Sequence, residues 1–201
     1  MTPLPYYRMS VVRRHEAMVE AMAQAQAAVD AGRRIAVNLV GPEAAAVMMP
    51  IMQAVESGVG ALWKAEGGTC FFETTEMLDH LHQAGQAGPY SCLGGHFRHL
   101  RDPWTIHAWI EAQSPVGPVA INASNLDKRP FYIMLRSDYR KLNRARIVQE
   151  LPAAKFATRL ASLRAERPDE GRDDFLRRAA KAIWAPTMEL SSSRGPVIGP
   201  N

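Results

Sequence analysis

Apolar residues recur at helical spacing through 11–31, where Met18, Met22, Ala25 and Val29 share one face and Gly32 ends the run. Arg33 and Arg34 then lead into IAVNLV, a β-branched stretch that reads as a buried strand. Gly41 and Pro42 turn the chain into a second helix from about Glu43, with Pro42 suited to its first turn. Pro50, within AAAVMMPIMQAV, should kink or split that helix. After a glycine-loosened stretch, TCFFE reads as a short strand. Thr74 or Thr75 then caps a helix through Glu76, Met77, Leu78 and Leu81. YSCLGG reads as another strand, closing on a glycine pair. A helix is expected from about His96, interrupted at Pro103 and resumed by WTIHAWIEA. VGPVAINAS and RPFYIML are further strands, and three helices follow: a basic one over 136–150, then 153–164 and 175–184.

This order predicts an α/β (α+β) fold, a single domain over 1–201 with a small mixed sheet and several surrounding helices. An irregular arm (1–10) precedes it, and a Ser/Gly/Pro-rich tail (186–201) is expected to be flexible. A length of 201 residues supports one good core and is short for two. No run of eighteen apolar residues is present, and the N-terminus lacks an apolar leader, so neither a membrane span nor secretion is expected. Cys70 and Cys92 are too few for a disulfide scaffold and fit a reducing compartment, so a cytoplasmic protein is expected.

Charge changes this picture more than composition does. The net charge of +4 divides unevenly: residues 1–126 carry 8 Lys/Arg and 11 Asp/Glu, whereas 127–201 carry 16 and 9. The excess is densest over 128–167. A basic portion on a mildly acidic body suits a polyanion, either DNA contacted without sequence preference or an acidic protein of a transfer machinery. On a helix over 136–150, Arg136, Arg140 and Arg144 would form one stripe at i, i+4 and i+8. Lys141 and Arg146 would widen it into a DNA-binding face.

The segment Tyr90-Ser91-Cys92-Leu93-Gly94-Gly95-His96-Phe97-Arg98-His99 carries the most suggestive chemistry. A strand ending in two glycines permits close backbone approach, and a helix starting there would offer unpaired N–H groups to a phosphate. Arg98 in its first turn could grip the same anion, which makes Gly94, Gly95 and Arg98 candidates for nucleotide or phosphate binding. His96 and His99, one turn apart on that helix, become candidate acid–base groups for phosphodiester or phosphoanhydride hydrolysis, with Arg98 stabilising the developing charge. Asp79, Asp102 and Glu111 are nearby acids that could hold a divalent cation. A metal site from Cys92, His96 and His99 matches no standard finger spacing, and His80, His82 and His107 read as surface or core histidines. Trp104 and Trp109 are candidates for stacking on a base, with core packing as the plainer role.

The run YS-x-L-G-G-x-x-R resembles the Gly-Gly-x-x-Arg signature of the ParB/sulfiredoxin fold. Size and Ala/Met/Arg-rich composition are similar to its plasmid fertility-inhibition (oncogenic-suppression) group. That resemblance implies phosphate binding at Gly94, Gly95 and Arg98, ATP and magnesium as cofactors, and nucleotide or DNA hydrolysis that interferes with conjugative DNA transfer. His96 stands where sulfiredoxins carry cysteine, so thiol chemistry is not implied. The alternative is a non-enzymatic inhibitor or adaptor that docks on an acidic surface of a DNA-transfer, secretion or phage protein.

Overall fold

The computed structural model describes residues 8–63, 69–98, 104–124 and 128–193. Among these, six strands, β1 (Ala36–Asn38), β2 (Tyr90–Phe97), β3 (Thr105–Ser114), β4 (Gly117–Asn122), β5 (Phe131–Leu135) and β6 (Arg146–Pro152), form one sheet in the order β1-β5-β4-β3-β2-β6. Only β1 and β5 run parallel; every other neighbouring pair is antiparallel, which gives the mixed α/β domain that the pattern predicts.

Six helices among the described residues cover the sheet unequally. On one face α2 (Ala45–Glu56), α3 (Cys70–Gln83), α5 (Ala153–Glu166) and α6 (Arg172–Ser193) enclose the main core with Ile51, Leu78, Phe156 and Trp184. On the other, α1 (Val11–Asp30) and α4 (Arg136–Leu142) cover a smaller cluster around Met18, Leu93, Trp109 and Tyr139. Strand β3 crosses between them. Ala108, Ile110 and Ala112 face the larger core, while His107, Trp109 and Glu111 alternate onto the other side.

Three segments depart from expectation. TCFFE begins α3 instead of forming a strand, and Thr75 lies inside that helix, donating to Phe71 O at 2.8 Å. TIHAWIEA is strand, not helix: both of its faces are buried over 107–112, so His107 and Glu111 occupy core-facing positions. The basic stretch 136–150 is divided. Helix α4 stops at Leu142, Asn143 caps it, and Arg146 opens β6 with the β-branched Ile147 and Val148.

Two prolines lie inside helices. Pro50 lies inside a continuous α2, where Tyr90 donates its hydroxyl to Val47 O at 2.6 Å. Helix α6 runs through Pro186 to Ser193, so the expected tail is helical to that point; 194–201 lie outside the described residues, as does 1–7 of the arm. Pro186 has no N–H for Ala182 O, and Arg159 Nη2 donates there instead at 2.8 Å. Gln149 Nε2 donates to Ile183 O at 2.6 Å and so ties the same turn to β6.

Candidate nucleic-acid interface

A phosphate cradle at Gly94, Gly95 and Arg98 requires a helix to begin there, and none does. Both glycines lie inside β2, which continues to Phe97. Their smallness serves packing. A Cβ on Gly94 would sit 2.7 Å from Thr187 Oγ1 and 2.8 Å from the Trp184 ring of α6. A Cβ on Gly95 would collide with the Arg146 carbonyl, at a register shift between β2 and β6. The helical pairing of His96 with His99 fails for the same reason: His96 is a strand residue opposite Ile106 and Arg146. His99 lies outside the described residues, as does Asp102.

The stripe of Arg136, Arg140 and Arg144 does not form either, because the helix ends too soon. Arg140 instead grips the buried Glu111 through two hydrogen bonds, of 2.9 and 2.6 Å, and Arg136 stands 3.8 Å from the same carboxylate. Trp109 Nε1 donates to Glu111 as well, at 3.0 Å. These two arginines are thereby committed to the fold. The charge asymmetry of the sequence closes on itself in similar fashion elsewhere. Glu76 accepts from Arg172 at 2.7 Å and Asp79 stands 3.6 Å from Arg164, so acids of the first part neutralise arginines of the second. Asp79 and Glu111 belong to opposite sides of the sheet and do not meet.

Lys141, Arg144 and Arg146 are exposed, and no acidic residue lies between Leu142 and Gln149. Arg144 has φ +45°, the one positive value at a non-glycine position among the described residues. It occupies the left-handed position after α4 that usually takes glycine: Arg144 N–H donates to Lys141 O at 3.3 Å and Ala145 N–H to Arg140 O at 2.9 Å. A side chain there costs about 1 kcal/mol relative to glycine.

The end of β2 joins this turn, since Arg98 N–H donates to Asn143 O at 2.8 Å. Across from it Trp104, 41% exposed, lies with its ring centroid 5.0 Å from the Arg146 guanidinium and 6.0 Å from that of Arg98. Arg98 Nε is buried and has no hydrogen-bond partner among the described residues. One corner of the sheet therefore gathers Arg98, Trp104, Arg144 and Arg146, with His96 as the cross-strand partner of Arg146. Sequence reasoning named each residue but divided them between two imagined helices. Trp109, its other stacking candidate, is core.

Thiol chemistry has no place in this corner. Cys70 and Cys92 are buried and free, and burial pushes the Cys70 thiol up to about 12 and that of Cys92 upward too. Among the described residues no group of three His, Cys, Asp or Glu side chains is placed to hold a metal ion. No described helix is long and apolar enough to cross a membrane. Comparisons with protein-family models, curated proteins and solved structures find no match to this chain.

Proposed function

We propose that the chain binds single-stranded nucleic acid without base preference at the corner formed by Arg98, Trp104, Arg144 and Arg146. The observation that carries this reading is the exposed Trp104 ring with two guanidinium groups beside it. An indole face stacks on any base, and the flanking cations and Lys141 meet the phosphates. The cost of an arginine in a left-handed turn supports it further, because folding alone favours glycine there. In the setting that the resemblance implies, the strand would be one exposed during plasmid or phage DNA transfer. The role proposed is binding, and it makes no use of the phosphate cradle expected from a helix after Gly95, where β2 continues.

Fluorescence anisotropy with a labelled oligo-dT provides the test. Trp104→Ala and Arg146→Ala should each weaken binding by about tenfold, as expected when one base loses its stacking platform or one phosphate its cation. The slope of log affinity against log salt should fall by about 0.7 for each phosphate left without a cation. Unchanged affinity in both variants overturns the proposal. A second reading, docking of an acidic protein segment, draws on β6 being an outer strand of the sheet with Ile147 38% exposed. It predicts that polyglutamate competes as well as oligo-dT and that Trp104→Ala leaves binding intact.

A further inference from the structure

Strand β3 is ten residues long, but β4 pairs only with its Ile110–Ser114 half. Beside the Thr105–His107 end, which β4 leaves unpaired, lies a cavity of about 490 Å³, within the size range of small-molecule sites. Its apolar lining comes from Met18, Val19 and Met22 of α1 and from Phe97 and Ile106. These apolar walls are joined by a polar set that no part of the nucleic-acid corner uses.

That set is pre-organised. Asn122 Oδ1 accepts from Ser124 Oγ at 2.9 Å and lies 3.1 Å from His107 Nε2, while Asn122 Nδ2 donates to the Tyr132 hydroxyl at 3.3 Å. A carboxamide oxygen can only accept, so Nε2 of His107 carries the proton. Burial lowers the ring's pKa to about 4, which keeps it neutral and leaves Nδ1 as an acceptor. The Phe97 ring packs on His107 at 4.8 Å between centroids. Among the described lining residues none is acidic and the one formal cation is Arg129, exposed beside Tyr132 and without an ion pair to a described residue.

Each feature narrows the occupant. Methionine and phenylalanine walls favour a flat ring body. A neutral imidazole acceptor asks for a ring N–H or O–H donor. The exposed Arg129 guanidinium matches a carboxylate, which it can hold through two parallel hydrogen bonds. A phosphate chain fits less well, because the first turn of α3, which lines the cavity through Thr69 and Cys70, already carries Glu73 bonded to the Thr69 hydroxyl at 2.9 Å. An acyl chain would leave His107, Asn122, Ser124 and Tyr132 facing hydrocarbon.

We infer that this cavity binds a small aromatic monocarboxylate carrying a ring N–H or O–H donor, with its carboxylate on Arg129 and its donor on His107. Titration calorimetry with indole-3-acetate tests the assignment, using indole-3-acetamide and 1-methylindole-3-acetate as controls. The wild-type chain should bind the acid at least about tenfold more tightly than the amide, as loss of a charge-assisted pair predicts. It should also prefer the N–H compound to its N-methyl analogue. Arg129→Ala, at an exposed position, should abolish the preference for acid over amide. Met22→Trp, which fills the cavity, should abolish binding of all three. No saturable binding up to about 1 mM overturns the inference, since weaker association is below what such a pocket supplies. Equal affinity of the wild type for acid and amide, or full binding by Met22→Trp, overturns it equally. None of these outcomes depends on nucleic-acid binding at the Trp104 corner.

Discussion

Trp104 and His107 are three residues apart, yet they belong to regions that treat charge in opposite ways. In the layer under α1 and α4, charge is matched or suppressed. Glu111 is held by Arg140 and Arg136, Asp138 accepts from Arg14 at 2.9 Å, and His107 is kept neutral by burial. At the corner, Arg98 and Arg146 flank an exposed indole and Arg144 stands in the adjoining turn, with no acidic residue in the 143–148 stretch to balance them. The same residue type is thus paired with a buried carboxylate in one place and set beside an exposed ring in the other. Exposure and partner decide which, and position in the sequence does not.

Changes in the inner layer should move stability, and changes at the corner should move binding. The largest effect is expected from Glu111→Ala, which leaves Arg140 and the Trp109 N–H without their acceptor. Chemical denaturation should register a loss of about 3 kcal/mol, reduced from the cost of a fully buried pair because Arg140 is partly solvated. A loss below about 0.5 kcal/mol would place Arg140 among surface pairs and dissolve the contrast.

Next in size is the response to acid. The folded pKa of His107, about 4, lies below its ordinary 6.5, so the unfolded chain takes up the proton first. Its contribution is therefore complete above pH 6.5 and is lost as pH falls towards 4, by about 2–3 kcal/mol. Urea melts of the wild type and His107→Gln at about pH 7 and about pH 4.5 should show a smaller acid loss in the variant. Equal losses would show that burial does not hold the imidazole neutral.

The smallest shift is the sharpest in sign. Arg144→Gly should raise stability by about 1 kcal/mol by relieving the left-handed backbone, while weakening oligo-dT binding. A variant that is more stable and binds as well as wild type would remove the argument that function holds the arginine there.

The two regions were unequally legible in the sequence. Helix α1, β1, β4, β5 and α5 follow from periodicity, because each is apolar on the side it buries. Strand β3 escapes that logic: His107, Trp109 and Glu111 alternate with Ala108, Ile110 and Ala112, and the polar members are buried by partners far away in the chain. The division of 136–150 had a local signal in Asn143, a residue that ends helices, and in the Ile147-Val148 pair that follows it. Spacing the arginines by fours concealed it. The His107–Asn122–Tyr132 network had no local signal, since its members come from three strands. Arg98, Trp104 and Arg146 were legible as residues but not as neighbours, because hairpin and register together create their proximity.

Gly94 has a consequence for how the chain assembles. Its bare backbone is covered by Trp184 and Thr187, about ninety positions later, and Gln149 of β6 hydrogen-bonds into the same turn of α6. The edge that presents Arg146 is thus tied by contacts of large sequence separation, which raise the contact order of the fold and slow its formation. Of the glycine pair expected to receive a ligand, Gly94 receives the last helix instead, and the corner beside it depends on α6 although no residue of α6 belongs to that corner.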